Sequence, residues 1–267
     1  GAADMGTGCD TILAQMVAEC MMCPIENVTV SGADTDTSPY DSGSYASSTT
    51  YITGRAVEKA CQKLQERIVQ EAAKILNCDS GELEFAGDCV KRLATGEEVS
   101  LTQIGTSSMC GSINALEAVE DSSSPVSPPP FMAGMVEIEL DKETGHVEIL
   151  DYVAVVDCGT VINPNLARVQ VEGGLVQGIG MALYENIQYN PKGQLRNNSF
   201  MQYKIPTRLD MGKLRVEFES SYEPTGPFGA KSIGEIVINT PSPALAHAIY
   251  NATGLWFREL PITSEKI

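Results

Sequence analysis

Basic residues are scarce in this chain of 267 residues: 18 lysines and arginines face 35 aspartates and glutamates, for a formal net charge of −17. No cluster of lysine and arginine stands out, so the chain lacks the phosphate-neutralising patch that nucleic-acid binding requires. The excess of negative charge instead favours solubility. No apolar run approaches the roughly 20 residues of a membrane-spanning helix, so we expect no membrane partner.

Histidine is rarer still, with only His146 and His247, and this limits the metal sites that the sequence offers. Cys20 and Cys23 form a single C-x-x-C pair, whereas a zinc site needs a second pair or histidines at ligand spacing. The cysteine spacings of iron–sulfur clusters are missing as well. The eight cysteines therefore indicate small buried side chains in a reducing cytosol. We predict a cytoplasmic protein with no metal ligated directly by side chains.

The length and the hydrophobic content of 43% are sufficient for two lobes with their own cores. Serine and proline dominate residues 121–130, which indicates a linker, so we predict a first lobe at 1–125 and a second at 126–267. Helical and alternating patterns both occur, and the predicted fold is α+β, with mixed sheets covered by helices. The abrupt start, without an initiating methionine, predicts a fragment or a processed subunit of a larger chain.

Hydrophobic periodicity predicts the main elements. In the first lobe we expect a helix that Asp10 or Thr11 caps, a short strand at 27–30 and a long amphipathic helix over 46–76. In the second lobe we expect a hairpin between residues 135 and 156 and a half-exposed strand near 214–218. A final helix is predicted with Ser242 as its cap and Gly254 at its end.

Two stretches of the first lobe are candidates for ligand binding. Gly6, Thr7 and Gly8 precede the first helix, and a glycine turn there presents backbone N–H groups that suit an anionic ligand. A plain tight turn is the alternative. The loop over residues 34–50 is dense in serine, threonine, aspartate and glycine. A loop of this length is either functional or a flexible surface segment.

A glycine-bearing helix is predicted after Asn163, and apolar residues on all its sides predict that it is buried. Each internal glycine costs about 1 kcal/mol relative to alanine, so close approach of another backbone or of a ligand must offset the loss. The glycines are Gly173, Gly174, Gly178 and Gly180. Gln177 shares a face with Gly173 and Gly180. Its amide either binds a flat heterocycle or is satisfied by the core backbone.

Glu235 lies between Gly234 and the apolar run 236–238. Desolvation in such a place raises the pKa of a carboxyl group and makes it a usable proton acceptor. Gly234 permits close approach of a ligand to the backbone. The alternative is an ordinary glutamate at the start of an apolar segment.

Taken together, the motifs resemble the C-terminal part of the molybdenum-cofactor-binding region of the xanthine dehydrogenase/aldehyde oxidase family, the molybdenum hydroxylases. Five matches occur in the family's order and cover nearly the whole chain. Residues 1–11 resemble its glycine-rich turn G-x-x-x-x-G-Q-G, 38–47 its T-P-Y-x-x-G-T-x-G/A-S loop, 157–164 its D-x-G-x-x-x-N-P, 171–180 its V-E-G-x-x-x-Q-G-x-G, and 229–235 its A-K-x-x-G-E.

The resemblance implies a two-lobed molybdopterin-binding domain and a molybdenum pyranopterin cofactor (molybdopterin), for which the cytosine dinucleotide is a candidate form. It implies that Glu235 is the general base, which accepts a proton while an oxygen attacks an electron-poor carbon of the substrate. Gln177 is implied to hydrogen-bond around the pterin and the molybdenum ligands. The segment Tyr45, Ala46 and Ser47 is implied to line the cofactor. The remaining implied cofactor-binding residues are Gly6, Thr7, Gly8 and Lys231.

The family's pattern also implies partners. The substrate is expected to be an N-heterocycle of purine or nicotinate type, or an aldehyde. The other molybdenum-binding half, the iron–sulfur clusters and FAD are expected on other subunits or domains. Thr7 replaces the family's usual glutamine, and Ser48 replaces an arginine found in many members. The alternative function is an isolated structural or assembly domain that holds no cofactor and has no activity of its own.

Overall fold

A computed structural model describes residues 1–111, 116–124 and 126–267, and within it the chain forms two compact units. Unit 1 comprises Gly1–Ser127 with Thr225–Pro227, and unit 2 comprises Pro128–Pro224 with Phe228–Ile267. Pro125, in the predicted linker, lies outside the described residues. Among the helices of the described residues, none combines the length and the apolar character needed to cross a lipid bilayer.

Unit 1 is built from helices around a small antiparallel sheet. Its helices are α1 (Cys9–Cys20), α2 (Gly54–Leu76) and α3 (Leu101–Gly111), and its strands are β1 (Leu83–Phe85), β2 (Cys89–Arg92) and β3 (Glu98–Ser100). The strands lie in the order β1-β2-β3. The core packs Ile68 and Ala72 of α2 against Val90 and Val99 of the sheet and against Ile104 of α3. The buried stripe of α2 follows the helical spacing that the sequence shows.

Two predictions for unit 1 need correction. The strand expected at 27–30 is absent: Ile25–Asn27 form a single helical turn, and the residues after it join neither sheet. A strand needs a neighbour to pair its backbone groups, and a run of four residues before a polar loop has none. The long α-helix begins later than expected. Thr49–Thr53 form a π-helical turn, and α2 follows it from Gly54.

Unit 2 has a mixed sheet with helices packed on it. Its elements are β4 (Phe131–Leu140), β5 (Val147–Asp157), α4 (Pro164–Leu183), β6 (Lys213–Phe218) and α5 (Pro241–Thr253). β5 lies in the centre, antiparallel to β4 and parallel to β6. Tyr152, Ala154 and Val156 of β5 are fully buried in the same core cluster as Leu175 of α4 and Leu245 of α5. This combination of separate helices and two sheets confirms the predicted α+β class.

Helix α5 begins two residues earlier than predicted. Thr240 is its N-cap residue and Pro241 occupies the first turn, while Gly254 ends the helix with a φ of 77°, as expected. Thr240 also accepts a hydrogen bond of 3.0 Å from the buried hydroxyl of Tyr152. The start of α5 is therefore fixed to the central strand of the sheet.

We predict that Asn163→Ala destabilises unit 2, because the Asn163 side chain accepts a 3.0 Å hydrogen bond from the Leu166 amide and caps α4. The free energy of unfolding should fall by about 1 kcal/mol. Urea unfolding followed by the fluorescence of Trp256, the single tryptophan, measures it. The control is Asn165→Ala, at an exposed helical position, with an expected change within about 0.5 kcal/mol. Equal losses in both variants would contradict the capping role.

Candidate functional site

The glycine turn of unit 1 is closed by a carboxylate from its own segment. Asp4 Oδ1 accepts hydrogen bonds from the amides of Gly6 at 2.8 Å and of Gly8 at 3.2 Å, and Oδ2 accepts one from Asp10 at 3.4 Å. These hydrogen bonds lower the pKa of the Asp4 carboxyl, and the bond from Gly6 has the largest effect. In this structure the backbone N–H groups of the turn thus bind the protein's own Asp4 carboxylate.

Thr7, in the middle of this turn, has an unusual side-chain oxygen. Its Oγ1 is buried and has no hydrogen-bond partner among the described residues. Nearly all buried polar atoms in proteins are hydrogen-bonded, so an unpaired one at a turn indicates a place where a further group belongs. Thr7 is also the position at which the sequence departs from the glutamine of the family pattern.

Asp4, Cys9 and Asp10 each place a potential metal-ligating atom within 4.8 Å of the others. Burial, followed by the two neighbouring carboxylates, raises the pKa of the Cys9 thiol to about 11. The thiol is therefore protonated at neutral pH, whereas a cysteine ligand is a thiolate. The Asp4 carboxylate is moreover engaged by the turn, and we assign no metal to this group.

The segment Tyr45–Ala46–Ser47 has an uncommon backbone. Ala46 and Ser47 have positive φ values of 48° and 57°, a conformation that residues with a Cβ seldom adopt. Tyr45 is 64% exposed, and Ala46 is exposed as well. Strained backbone of this kind concentrates at ligand sites and switch regions. The structure therefore presents the segment at the surface, with two small side chains beside an aromatic ring.

In unit 2, helix α4 is not buried on all sides, contrary to the prediction. Residues at every fourth position, Val169, Gly173, Gln177 and Met181, form an exposed ridge along it. Gln177 and Gly173 share this ridge as expected. Gly180 does not, because it is buried and a Cβ there would lie against Glu185 and within 2.9 Å of Pro206. An apolar ridge open to solvent, with an amide at its middle, is the surface expected of a binding site.

Two other glycines of α4 bring the helix into contact with the segment that carries Glu235. A Cβ on Gly174 would overlap the side chain of Val237, and one on Gly178 would lie 2.7 Å from Pro241 and 2.8 Å from the Ile238 carbonyl oxygen. Val237 is fully buried as a result. The glycines therefore serve close approach, which was one of the two reasons that the sequence left open.

Glu235 itself is exposed. The neighbouring apolar run 236–238 does not cover it, because that run forms a helical turn packed on α4. The dry environment expected from the sequence is therefore not provided by this chain's described residues. The fold does place Glu235 two residues before Val237, which is fixed on the helix that carries Gln177.

Lys231 lies in the interior, only 8% exposed. Its Nζ is 2.7 Å from Asp157 Oδ2 at the end of β5. Partial burial by itself raises the pKa of the Asp157 carboxyl, but the hydrogen bonds it accepts outweigh burial and hold that pKa below its ordinary value. Sequence reasoning missed this pair, although both residues lie in motifs singled out above. A carboxylate at the end of a buried strand requires a counter-charge, and this was the available signal.

A groove of about 550 Å³ lies between β4 and α5, lined among others by Met135, Thr240 and His247. Its described lining includes neither Gln177 nor Lys231 nor Glu235. His247 packs edge-on against Trp256, with ring centroids 5.0 Å apart. This groove is thus separate from the residues that the sequence motifs single out in unit 2.

Comparison with known proteins identifies the class to which this fold and these motifs belong. The profile of the molybdopterin cofactor-binding domain matches residues 1–212, and the chain belongs to that family. Its relatives confirm the resemblance to the xanthine dehydrogenase/aldehyde oxidase family. The chain is 35% identical, over its full length and 28% of the relative's, to the probable hypoxanthine oxidase XdhD of Escherichia coli K12. It is 34% identical, over its full length and 35% of the relative's, to the 6-hydroxypseudooxynicotine dehydrogenase complex subunit gamma of Paenarthrobacter nicotinovorans.

Solved structures give the same fold. The reconstituted CO dehydrogenase from Oligotropha carboxidovorans matches with a TM-score of 0.87 at 27% identity, over 99% of this chain and 34% of that one. Quinoline 2-oxidoreductase from Pseudomonas putida 86 matches with a TM-score of 0.86 at 28% identity, over 99% and 35%. The chain spans about a third of the length of these relatives.

We predict opposite effects for alanine at two adjacent glycines of α4. Gly173→Ala should raise the free energy of unfolding of unit 2 by up to about 1 kcal/mol, since alanine favours the helix and the new methyl group meets nothing within 4 Å. Gly174→Ala should lower it by about 1–3 kcal/mol, because Val237 must move. Urea unfolding followed by Trp256 fluorescence compares the two. The same sign for both would show that α4 does not depend on close approach at Gly174.

Proposed function

We propose that this chain is part of a molybdenum hydroxylase and that Glu235 is its general base. The observation that carries the proposal is that one helix of unit 2, α4, holds the backbone of two exposed residues, Gln177 and Glu235. Gln177 lies on α4, and Glu235 directly precedes the turn that packs on α4 through Gly174 and Gly178. An amide and a carboxylate held this way have the rigid backbone that positioned acid–base chemistry needs.

The residues present fit a molybdenum pyranopterin cofactor. In unit 1 the buried, unpaired Oγ1 of Thr7 is a hydrogen-bonding group without a partner among the described residues, and Gly6 and Gly8 form the turn around it. Tyr45, Ala46 and Ser47 offer a ring and two small side chains. In unit 2, Gly173 leaves the backbone of α4 bare next to Gln177. Each of the two sets, taken by itself, would offer contacts to the cofactor, which when bound supplies the oxygen-transfer and two-electron chemistry.

The role of Glu235 follows from its chemistry. A carboxylate accepts the proton that the attacking oxygen nucleophile gives up, and such general base catalysis contributes about 10²–10⁴-fold to the rate. Since Glu235 is exposed in this chain, the bound cofactor, the substrate and the rest of the enzyme would exclude water from it. The amide of Gln177, on the exposed ridge of α4, can donate and accept hydrogen bonds and would orient what binds there.

The relatives' names support the substrate class and the partners. They include a probable hypoxanthine oxidase, a 6-hydroxypseudooxynicotine dehydrogenase subunit and an aldehyde oxidoreductase molybdenum-binding subunit. We accordingly propose an N-heterocycle or an aldehyde as substrate. We further propose the other molybdenum-binding half, iron–sulfur clusters and FAD on other domains or subunits, with the cytosine dinucleotide as a candidate form of the cofactor. All eight cysteines are free thiols, which is in keeping with the proposed cytoplasmic location.

Glu235→Gln, introduced into the assembled enzyme, should reduce kcat by about 10²–10⁴-fold, because the amide does not accept the proton. Molybdenum content should be unchanged, since the side chain keeps its shape. Steady-state kinetics and metal analysis measure the two effects. Glu139→Gln, at an exposed position on β4, is the control and should leave both unchanged. Near-normal turnover in Glu235→Gln would exclude Glu235 as the base.

Metal analysis of the native protein, purified with its partners, separates the hydroxylase from the alternative of a structural or assembly domain. We expect molybdenum in stoichiometric amount. A native complex without molybdenum and without hydroxylase activity would overturn the proposal and favour the structural alternative.

A further inference from the structure

We propose that Asp157 and Lys231 are positioning residues that fix the place of Glu235, a role that rests on the proposed function of Glu235 as the base. The resemblance implied a cofactor contact for Lys231. The surroundings of its ammonium group point to a different use.

The ammonium group of Lys231 joins three segments of unit 2. Nζ lies 2.7 Å from Asp157 Oδ2 at the end of β5 and 3.5 Å from the carbonyl oxygen of Pro129, just before β4. The ring of Phe131, the first residue of β4, lies with its centroid 5.3 Å from Nζ. An ammonium group has three donors, and two of them point to these oxygens. With only 8% of the residue exposed, Lys231 is engaged inside the unit.

The carboxylate of Asp157 is equally engaged. Oδ1 accepts hydrogen bonds from the Gly159 amide at 3.0 Å and from the Ser221 hydroxyl at 2.5 Å, while Oδ2 takes the ammonium group. Charge-assisted hydrogen bonds of this kind are about twice as strong as neutral ones. Removal of either partner leaves a partly buried charge without its counter-charge.

The backbone around the pair is joined as well. The Lys231 amide donates to the Cys158 carbonyl oxygen at 2.7 Å, and the Thr160 amide donates to the Gly229 carbonyl oxygen at 2.8 Å. Gly159 permits this approach, because a Cβ there would overlap the Gly229 carbonyl oxygen and lie 3.0 Å from the Lys231 nitrogen. The side-chain pair thus locks the register of two segments that are already hydrogen-bonded.

Glu235 lies between this anchor and a second one. It follows Lys231 by four residues and precedes Val237, which is fully buried on Gly174. Only five residues, 232–236, separate the two anchors, and a segment this short cannot move far independently of its ends. A shift of the first anchor therefore reaches the carboxylate, and misplacement by about 1 Å lowers a rate by about 100-fold.

The experiment uses the full-length protein, produced with its partner subunits, in the variants Asp157→Asn, Lys231→Met and the double variant. We expect kcat to fall by about 100-fold in each, with the double variant no worse than either single one because both remove one interaction. KM and molybdenum content should stay at the wild-type values. Hydrogen exchange of the amides over 229–236 should become faster in all three.

Two further variants serve as controls. Arg215→Met removes the ion pair of Arg215 with Asp151, whose closest oxygen is 2.6 Å away and which also lies on β5, and should leave kcat and the exchange over 229–236 unchanged. Lys231→Arg keeps the positive charge and should restore most of the lost kcat. An ion pair that merely adds stability would not give this separation of kcat from KM.

Other results would overturn the proposal. Loss of molybdenum from Lys231→Met alone would show that the lysine contacts the cofactor, and loss from both single variants would assign the pair to folding or loading. An unchanged kcat with unchanged exchange would show that the pair does not position Glu235. A wild-type enzyme without molybdenum or activity would overturn the proposed function instead, and in that case unchanged exchange over 229–236 would still refute the anchoring.

Discussion

Close approach of neighbouring segments to the bare backbone of glycines is the constraint on which the second unit depends. Helix α4 lies so close to the segment after Glu235 that a single methyl group at Gly174 would overlap Val237. The same kind of contact recurs where Gly159 faces the Gly229 carbonyl oxygen. At both places the absence of a side chain determines how two segments meet. Dense packing of this sort transmits small displacements instead of absorbing them, and the proposed positioning of Glu235 relies on this property.

Strong local patterns allowed much of the fold to be predicted. The helices α1, α2, α4 and α5 and the hairpin of β4 and β5 all follow from hydrophobic spacing, and the α+β class is confirmed. The strand expected at 27–30 was wrong because its pattern carries no information about a partner strand. The pairing of β6 beside β5 is likewise a tertiary fact: its alternation predicts a half-exposed strand, while its parallel neighbour lies about 60 positions earlier along the chain.

Burial was harder to predict than secondary structure. The apolar composition of α4 predicted a buried helix, yet Gly173 and Gln177 lie on an exposed ridge. The apolar run after Glu235 predicted a desolvated carboxylate, yet Val237 faces α4 and Glu235 faces solvent. In both cases the sequence identifies the residue, whereas the direction of the side chain follows from packing between elements. The exposure of these residues fits the proposal that further domains or subunits cover this surface.

The parallel pairing of β5 with β6 has a consequence for how the fold delivers its functional segments. Neighbouring parallel strands have their C-terminal ends on the same side of the sheet. The chain therefore leaves β5 at Asp157 and β6 at Phe218 side by side. The Glu219 amide donates a hydrogen bond to the Val156 carbonyl oxygen at 2.9 Å. If β6 were antiparallel to β5, the segment after β6 would begin at the other end of the strands, far from Asp157. The direction of β6 thus helps to bring Lys231, 74 positions further along the chain, to the carboxylate of Asp157. The connection from β5 through α4 to β6 is a crossover, and it allows the two parallel strands to end side by side.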